Sequence, residues 1–307
     1  MILRLPAYAK VNLSLEILGR RADGFHEIVS VTQTISLADT IEAAASDTLT
    51  VEMDPPLVEE DDNLMRRAAE ALAEATGQPA TGRVRIAKRV PLAAGLGGGS
   101  SDAATTLRLL DRLWGTGLGA RGLGPIAATL GSDVSLFLHG GTSVIRGRGE
   151  QVEQLPAVQP FWLVLVCPGN SPPDKTRALY RALQPNEWTD GTATLVLAEQ
   201  IRQGHTLAGA ALVNNFDGAA DRVYPQFVYL RAQLRQVTGQ TFHVTGAGPT
   251  LFAVYQQAAP ARAAAEKVRQ AGLLVHVARS IARRPEIRAS KASLSRSRSE
   301  RDLRESG

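Results

Sequence analysis

Residues 91–102 read Pro91-Leu92-Ala93-Ala94-Gly95-Leu96-Gly97-Gly98-Gly99-Ser100-Ser101-Asp102, with four glycines in five positions. An upstream run with strand character, 83–90, leads into this stretch, and a helical stripe of Ala104, Leu107, Leu110 and Leu113 leaves it. Glycines let a backbone take positive φ and approach a ligand closely. The first turn of a helix adds unpaired N–H groups and partial positive charge. Phosphate oxygens suit both features. The hydroxyls of Ser100 and Ser101 either cap the helix or contact phosphate and Mg²⁺, and both readings stay open. No lysine follows the glycines as in a Walker A loop, and the spacing is not G-x-G-x-x-G. A flexible linker is the plain alternative, but a linker would not be framed by a strand and a strong helix.

Working outward, alternating apolar residues predict strands over 7–18 and 28–37, with a turn over 19–24 between them. Further strands are expected over 40–53 and 83–90. Between them lies a helix over 64–75, with Asn63 able to cap it and Gly77 able to end it. Past the glycine loop, helices are predicted over 102–114 and 121–130, then strands over 135–145 and 161–166. Pro168-Gly169 and Pro172-Pro173 mark a lobe boundary. Beyond it the spacing predicts helices over 175–183, 194–203, 225–237 and 261–271, with strands over 241–245, 251–255 and 274–278. No internal repeat is visible. The expected division is a first lobe over 1–167, a second over 168–282 and a disordered tail over 283–307, rich in Arg and Ser and poor in apolar residues.

With 307 residues, 44% hydrophobic and 21% charged, the composition is that of a soluble globular protein. The longest apolar stretches, such as 161–167, fall far short of the roughly 20 residues that a membrane-spanning helix needs. The start, Met1 to Pro6, lacks the pattern of a secretory signal, so a cytoplasmic location is expected. Cys167 is the one cysteine, which excludes an internal disulfide and suggests a buried thiol. The net charge of +4 is confined to 283–307, where eight Lys or Arg face four Asp or Glu. The rest is balanced and carries no basic excess for nucleic acid.

The pattern P-x-x-x-G-L-G-G-G-S-S-D-A-A resembles the ATP-binding signature of the GHMP kinase superfamily. Four other stretches extend the resemblance: Pro6 to Leu13, Arg20 to Glu27, Gly131-Ser132-Asp133-Val134 with Gly147 to Glu150, and the late turn Thr245 to Phe252. The resemblance implies an α+β fold of two lobes, the first like the ribosomal-protein left-handed β-α-β arrangement and the second ferredoxin-like. It implies phosphoryl transfer from ATP with Mg²⁺ to a small-molecule alcohol. The cofactor would sit on Pro91, Leu92, Ala93, Ala94, Gly95, Leu96, Gly97, Gly98, Gly99, Ser100 and Ser101, with Gly246 and Gly248 closing the site.

Phosphoryl transfer needs positioning and charge neutralisation more than covalent chemistry, so an acid should pair with a cation near the phosphates. Alone, Lys10 reads as a solvated strand-edge residue and Asp133 as a turn or cap residue. The resemblance makes them the catalytic pair. Asp133 would accept the proton of the attacking hydroxyl, and Lys10 would stabilise the developing charge. His26 and Phe25 would hold a cytosine ring by hydrogen bond and stacking, with Asn12 near the reacting end. Thr176 and Tyr180 would complete the base site on a looser match. Two rivals remain: a GHMP kinase acting on homoserine, mevalonate or a sugar, and a non-catalytic module that uses the tail to bind RNA. The partner expected is a small molecule, with no nucleic acid for the folded body and no membrane, and the oligomeric state and the role of the tail are left open.

Overall fold

The computed structural model describes residues 1–56, 63–169, 174–207 and 212–290. Pro172-Pro173 and the tail from 291 lie outside the described residues. Two 19-residue strands, β1 (Ile2–Arg20) and β2 (His26–Ala44), run antiparallel and form the spine of the larger sheet. Three register shifts break their ladder, between Tyr8 and Lys10, Asn12 and Ser14, and Ile17 and Gly19. Such irregularities bend a strand and re-aim its side chains. β3 (Leu49–Asp54) and β4 (Gly82–Ala87) pair in parallel, and α1 (Leu64–Thr76) lies between them in sequence. As expected, Asn63 caps α1 by accepting the N–H of Met65, and Gly77 ends it at φ 65°.

After the glycine loop come α2 (Gly98–Trp114), α3 (Gly119–Leu130) and α4 (Ser132–His139). Their apolar faces meet α1 and the strands in one cluster that includes Leu72, Val84, Leu107, Ile126 and Phe137. β5 (Thr142–Gly147) pairs with β2, and β6 (Gln151–Gln154) pairs with β5. The expected strand over 135–145 is corrected here. Val134, Leu136, Phe137 and Leu138 are buried on a helix, and Gly140 and Gly141, at φ 69° and 73°, turn the chain into β5.

The second sheet has the order β10-β7-β9-β8 and is antiparallel throughout, with β7 (Trp162–Val166), β8 (His243–Val244), β9 (Leu251–Tyr255) and β10 (Val275–Arg279). Between β7 and β8 run α5 (Lys175–Ala182), α6 (Thr192–Arg202), α7 (Phe216–Val223) and α8 (Gln226–Thr238), and α9 (Ala258–Gln270) joins β9 to β10. Leu163 and Leu165 face the cluster shared with Val11, Leu13 and Val31 of the larger sheet, while Val164 and Val166 face the helix side. Burial on both faces explains why β7 reads as an unbroken apolar run. β7 belongs to this sheet although it precedes 168, where the second lobe is expected to begin.

Disorder from 283 onward is corrected for 283–290. Residues of β11 (Arg288–Ser290) pair antiparallel with Ile2–Arg4 of β1, and Ile287 packs on the core of the first lobe. Backbone ladder bonds along a sheet edge need no apolar side chains, so composition did not reveal them.

Candidate active site

Glycine dictates the shape of the loop at two places. A Cβ on Gly95, at φ 80°, would lie 2.6 Å from the Thr245 carbonyl oxygen and 2.8 Å from that of Gly248. One on Gly97, at φ 70°, would meet the Phe137 ring at 2.7 Å. The loop thus presses against the turn between β8 and β9 on one side and against α4 on the other. Gly97 also serves as the N-cap of α2, with no side-chain cap bond, so Gly98, Gly99 and Ser100 form the first turn of the helix. The helix begins four residues earlier than the apolar stripe indicated, because glycine carries no periodic signal.

Pro91, Ala94 and Leu96 are at least partly buried, while Leu92, Ala93 and Gly99 are exposed. The structure divides the two serines. Ser101 is buried, its hydroxyl donates to the Tyr8 carbonyl at 2.7 Å, and its N–H donates to the Gly97 carbonyl at 2.9 Å. Its polar groups are therefore engaged within the protein, and Ser100 is the hydroxyl left at the helix start.

Beneath the loop, the Lys10 N–H donates to the Leu96 carbonyl at 2.9 Å. Its ammonium lies 3.6 Å from Asp133 Oδ2, with side-chain exposures of 7% and 33% respectively. Asp133 sits in the first turn of α4, where the helix dipole favours a carboxylate. Lys10 Nζ also donates to Asn12 Oδ1 at 2.7 Å, and Asn12 Nδ2 donates to Ser30 Oγ at 2.8 Å. Asn12 is buried and its amide is engaged at both ends, so here it orients Lys10. The Asn12 N–H donates to Thr245 Oγ1 at 2.9 Å, and the Thr250 N–H donates to the Ala94 carbonyl at 3.3 Å. A Cβ on Gly246 would stand 3.4 Å from Lys10 Nζ. The late turn and the glycine loop therefore converge on Lys10.

At the far end of β1, His26 stacks on Tyr180 of α5, with ring centroids 4.3 Å apart and planes 18° apart. Tyr180 in turn meets Phe216 edge-on at 4.9 Å. Burial, and then the positive charge of Arg20, lower the His26 imidazole from its usual range. Burial, and then the nearby Asp133 carboxylate, push the Tyr180 phenol up to about 12. Tyr180 thus spans from the His26 ring toward the catalytic candidate. Phe25 is 54% exposed, and the Arg148 guanidinium lies 4.8 Å above its ring, so it is Tyr180 that the structure sets against His26. Thr176 is exposed on α5 near the start of that helix.

Two groups escaped sequence reasoning. Lys88 Nζ is buried between Asp39 Oδ2 at 2.6 Å and Asp102 Oδ2 at 2.8 Å, and Asp39 Oδ1 accepts the N–H groups of Arg89 and Val90 at 2.5 and 2.8 Å. This triad anchors both ends of the loop. Burial pushes the Asp102 carboxyl up, to about 7, against the pull of Lys88. Lys175 is the other; its ammonium donates to the carbonyls of Ala93 and Gly248. The position of Asp102 directly after the paired serines was a usable signal, whereas nothing local distinguished Lys175.

The fold and this convergence of two glycine-rich segments agree with the relatives of the chain. Residues 63–141 match the GHMP kinases N terminal domain, and residues 197–273 match the GHMP kinases C terminal domain. The chain belongs to the GHMP kinases, and it is a small-molecule kinase by family. A 4-diphosphocytidyl-2-C-methyl-D-erythritol kinase of Dehalococcoides mccartyi is 43% identical over 252 residues, which is 82% of this chain and 88% of that protein. One of Pelotomaculum thermopropionicum is 38% identical over 288 residues, covering 91% and 98%. A crystal structure of 4-(cytidine 5'-diphospho)-2C-methyl-D-erythritol kinase superposes with a TM-score of 0.77 at 34% identity, covering 90% of this chain and 98% of that one. Within the GHMP kinases, the chain belongs to the 4-diphosphocytidyl-2-C-methyl-D-erythritol kinase family. A homoserine kinase from Cytophaga hutchinsonii, 16% identical with a TM-score of 0.71, shares the fold.

Proposed function

We propose that this chain transfers the γ-phosphoryl group of ATP to the 2-hydroxyl of 4-diphosphocytidyl-2-C-methyl-D-erythritol, a step of the non-mevalonate route to isoprenoid precursors. The observation that carries this reading is the placement of the Lys10–Asp133 pair between the glycine loop and the His26–Tyr180 stack. A substrate with an aromatic base at one end and an alcohol at the other suits that span.

Asp133 takes the hydroxyl proton as the oxygen attacks the γ-phosphorus, and the bond to the β-phosphate oxygen breaks to release ADP. Lys10, held by Asn12, neutralises charge on the transferring group. His26 presents a neutral imidazole that can hydrogen-bond a cytosine edge, and an aromatic ring flanks it for stacking. The first turn of α2, with its glycines and Ser100, offers backbone N–H groups to the phosphates.

Mg²⁺ would enter with the nucleotide, since a hard cation on phosphate oxygens needs few protein donors. Among the described residues no group of three or more His, Cys, Asp or Glu is arranged to hold a metal by itself, so the phosphate oxygens would carry most of the ion's ligands. Bound there, the ion would add charge neutralisation. No helix among the described residues is long and apolar enough to cross a membrane.

The test is ATP consumption with Mg²⁺, comparing the cytidylated acceptor with homoserine, mevalonate and galactose, with Asp133→Asn as control. Turnover confined to the cytidylated acceptor and lost in the variant is the expected result. Turnover with another acceptor would discard the cytidine reading.

A further inference from the structure

We propose that Lys175 is a positioning residue for phosphoryl transfer: it ties the glycine loop to the turn between β8 and β9, and sets a second ammonium beside Lys10 on the nucleotide phosphates. The inference rests on the kinase reading above and names a group that neither the glycine signature nor the Lys10–Asp133 pair includes.

Lys175 opens α5, and its Nζ donates to one carbonyl on each loop, Ala93 and Gly248. Ala93 holds φ 50°, a left-handed conformation that is strained for a non-glycine residue. The bond from Lys175 therefore secures the carbonyl of a strained residue. Among the described residues no carboxylate pairs with Lys175; Asp174 beside it pairs with Arg177 in solvent. An ammonium that is partly withdrawn from water, and on which the charge of another ammonium acts, is unfavourable by itself. A polyphosphate between Lys175 and Lys10 would offset that cost, and these loops are built to receive one.

The same helix carries Tyr180, whose ring stacks on His26. α5 thus links the base end of the site to the phosphate end. Seating of an acceptor against Tyr180 would hold the helix that carries Lys175.

Burial, and then the charge of Lys10, push the Lys175 ammonium down to about 8. Lys10 from β1 is the charged group that acts on it, with Asp133 of α4 beyond Lys10, and Asp174 and Arg177 on its own element. In the free enzyme the cation is present below that pH and lost above it. A bound polyphosphate favours the charged form, so the nucleotide complex keeps it to higher pH.

The experiment measures kcat/KM for ATP across neutral to alkaline pH for wild type, Lys175→Met and Lys175→Arg, with nucleotide affinity followed by titration of a fluorescent ATP analogue and folding checked by melting. In wild type an alkaline limb is expected near pH 8. Lys175→Met should lower kcat/KM for ATP by roughly 10- to 100-fold, the effect of losing a hydrogen bond from a charged group, and should erase the limb. Lys175→Arg should recover much of the rate and carry the limb out of range, because guanidinium stays charged. Unchanged kcat/KM in Lys175→Met, or a lower rate with the limb intact, would overturn the proposal. Wild type without turnover on the cytidylated acceptor would sink the substrate assignment instead, and the analogue titration would still decide the role of the lysine in holding phosphate.

Discussion

Lys10 Nζ stands 3.6 Å from Asp133 Oδ2, the ammonium enclosed and the carboxylate one third exposed. The cation is held in place while the acid stays partly open to solvent. Replacing Asp133 by Asn should cut kcat by about 10²- to 10⁴-fold with ATP affinity changed little. Lys10→Met should cost a similar factor, and the double variant should be little worse than the poorer single one, because the two act as a unit. Steady-state kinetics with an ATP titration checks all three.

The glycines of the loop are not equivalent. Gly95→Ala would force a Cβ to 2.6 Å from a backbone oxygen, whereas Gly99 has nothing within 4 Å of that position and lies in a helical turn. Gly95→Ala should therefore separate the two loops and abolish ATP binding. Gly99→Ala should leave the fold intact or raise its stability by about 0.5–1 kcal/mol. Thermal melts with and without ATP distinguish the two.

Tyr180 should serve by its ring and not its hydroxyl. Tyr180→Phe should keep KM for the cytidylated acceptor near wild type, while Tyr180→Ala should raise it by about fivefold or more, in line with the 0.5–1.5 kcal/mol of an aromatic pair and the added loss of area. KM for ATP should stay within a factor of two or so of wild type in both.

The lowered pKa of His26 has a readable sign. Burial and Arg20 keep the imidazole neutral below its ordinary 6.5, so its neutral form persists as the pH falls through that value. KM for the acceptor should stay flat from pH 8 down through 6.5 and rise only below it. A rise beginning above 6.5 would mean that the protonated form is reached earlier than the burial implies.

Lys88 is enclosed with two carboxylates, with side-chain exposures of 3% for Lys88, 0% for Asp39 and 2% for Asp102. Lys88→Met would leave two uncompensated buried acids and should destabilise the fold by about 3–5 kcal/mol in denaturant unfolding. Because the triad fixes the loop ends, ATP affinity should fall with it.

Much of this was legible in the chain. α1 reads from its stripe, with Asn63 and Gly77 marking its ends, because capping and periodicity are local signals. The helix at Ser132–His139 did not, since Val134, Leu136 and Leu138 alternate as a strand would and only packing against α2 and α3 makes them helical. α7 was missed because it is short, and Asn215 at its start makes no side-chain cap bond. At the site, Lys10, Asp133 and His26 stood in recognisable stretches. Their neighbours Ser30 and Lys175 did not, because each matters through a partner far away in sequence.

By itself, the sequence carried the signal of the family: four glycines between a strand and a helix resemble the signature of the GHMP kinases, to which the chain belongs. It also confined the net charge to the tail. Only the tertiary structure decided which groups meet: that Ser101 turns inward to Tyr8, that Asn12 serves Lys10, that Tyr180 faces His26, and that Lys175 spans two loops. The physical reason is range. Backbone conformation and capping depend on neighbours a few residues away, whereas burial, charge pairing and stacking depend on segments that only the packing of two sheets brings together.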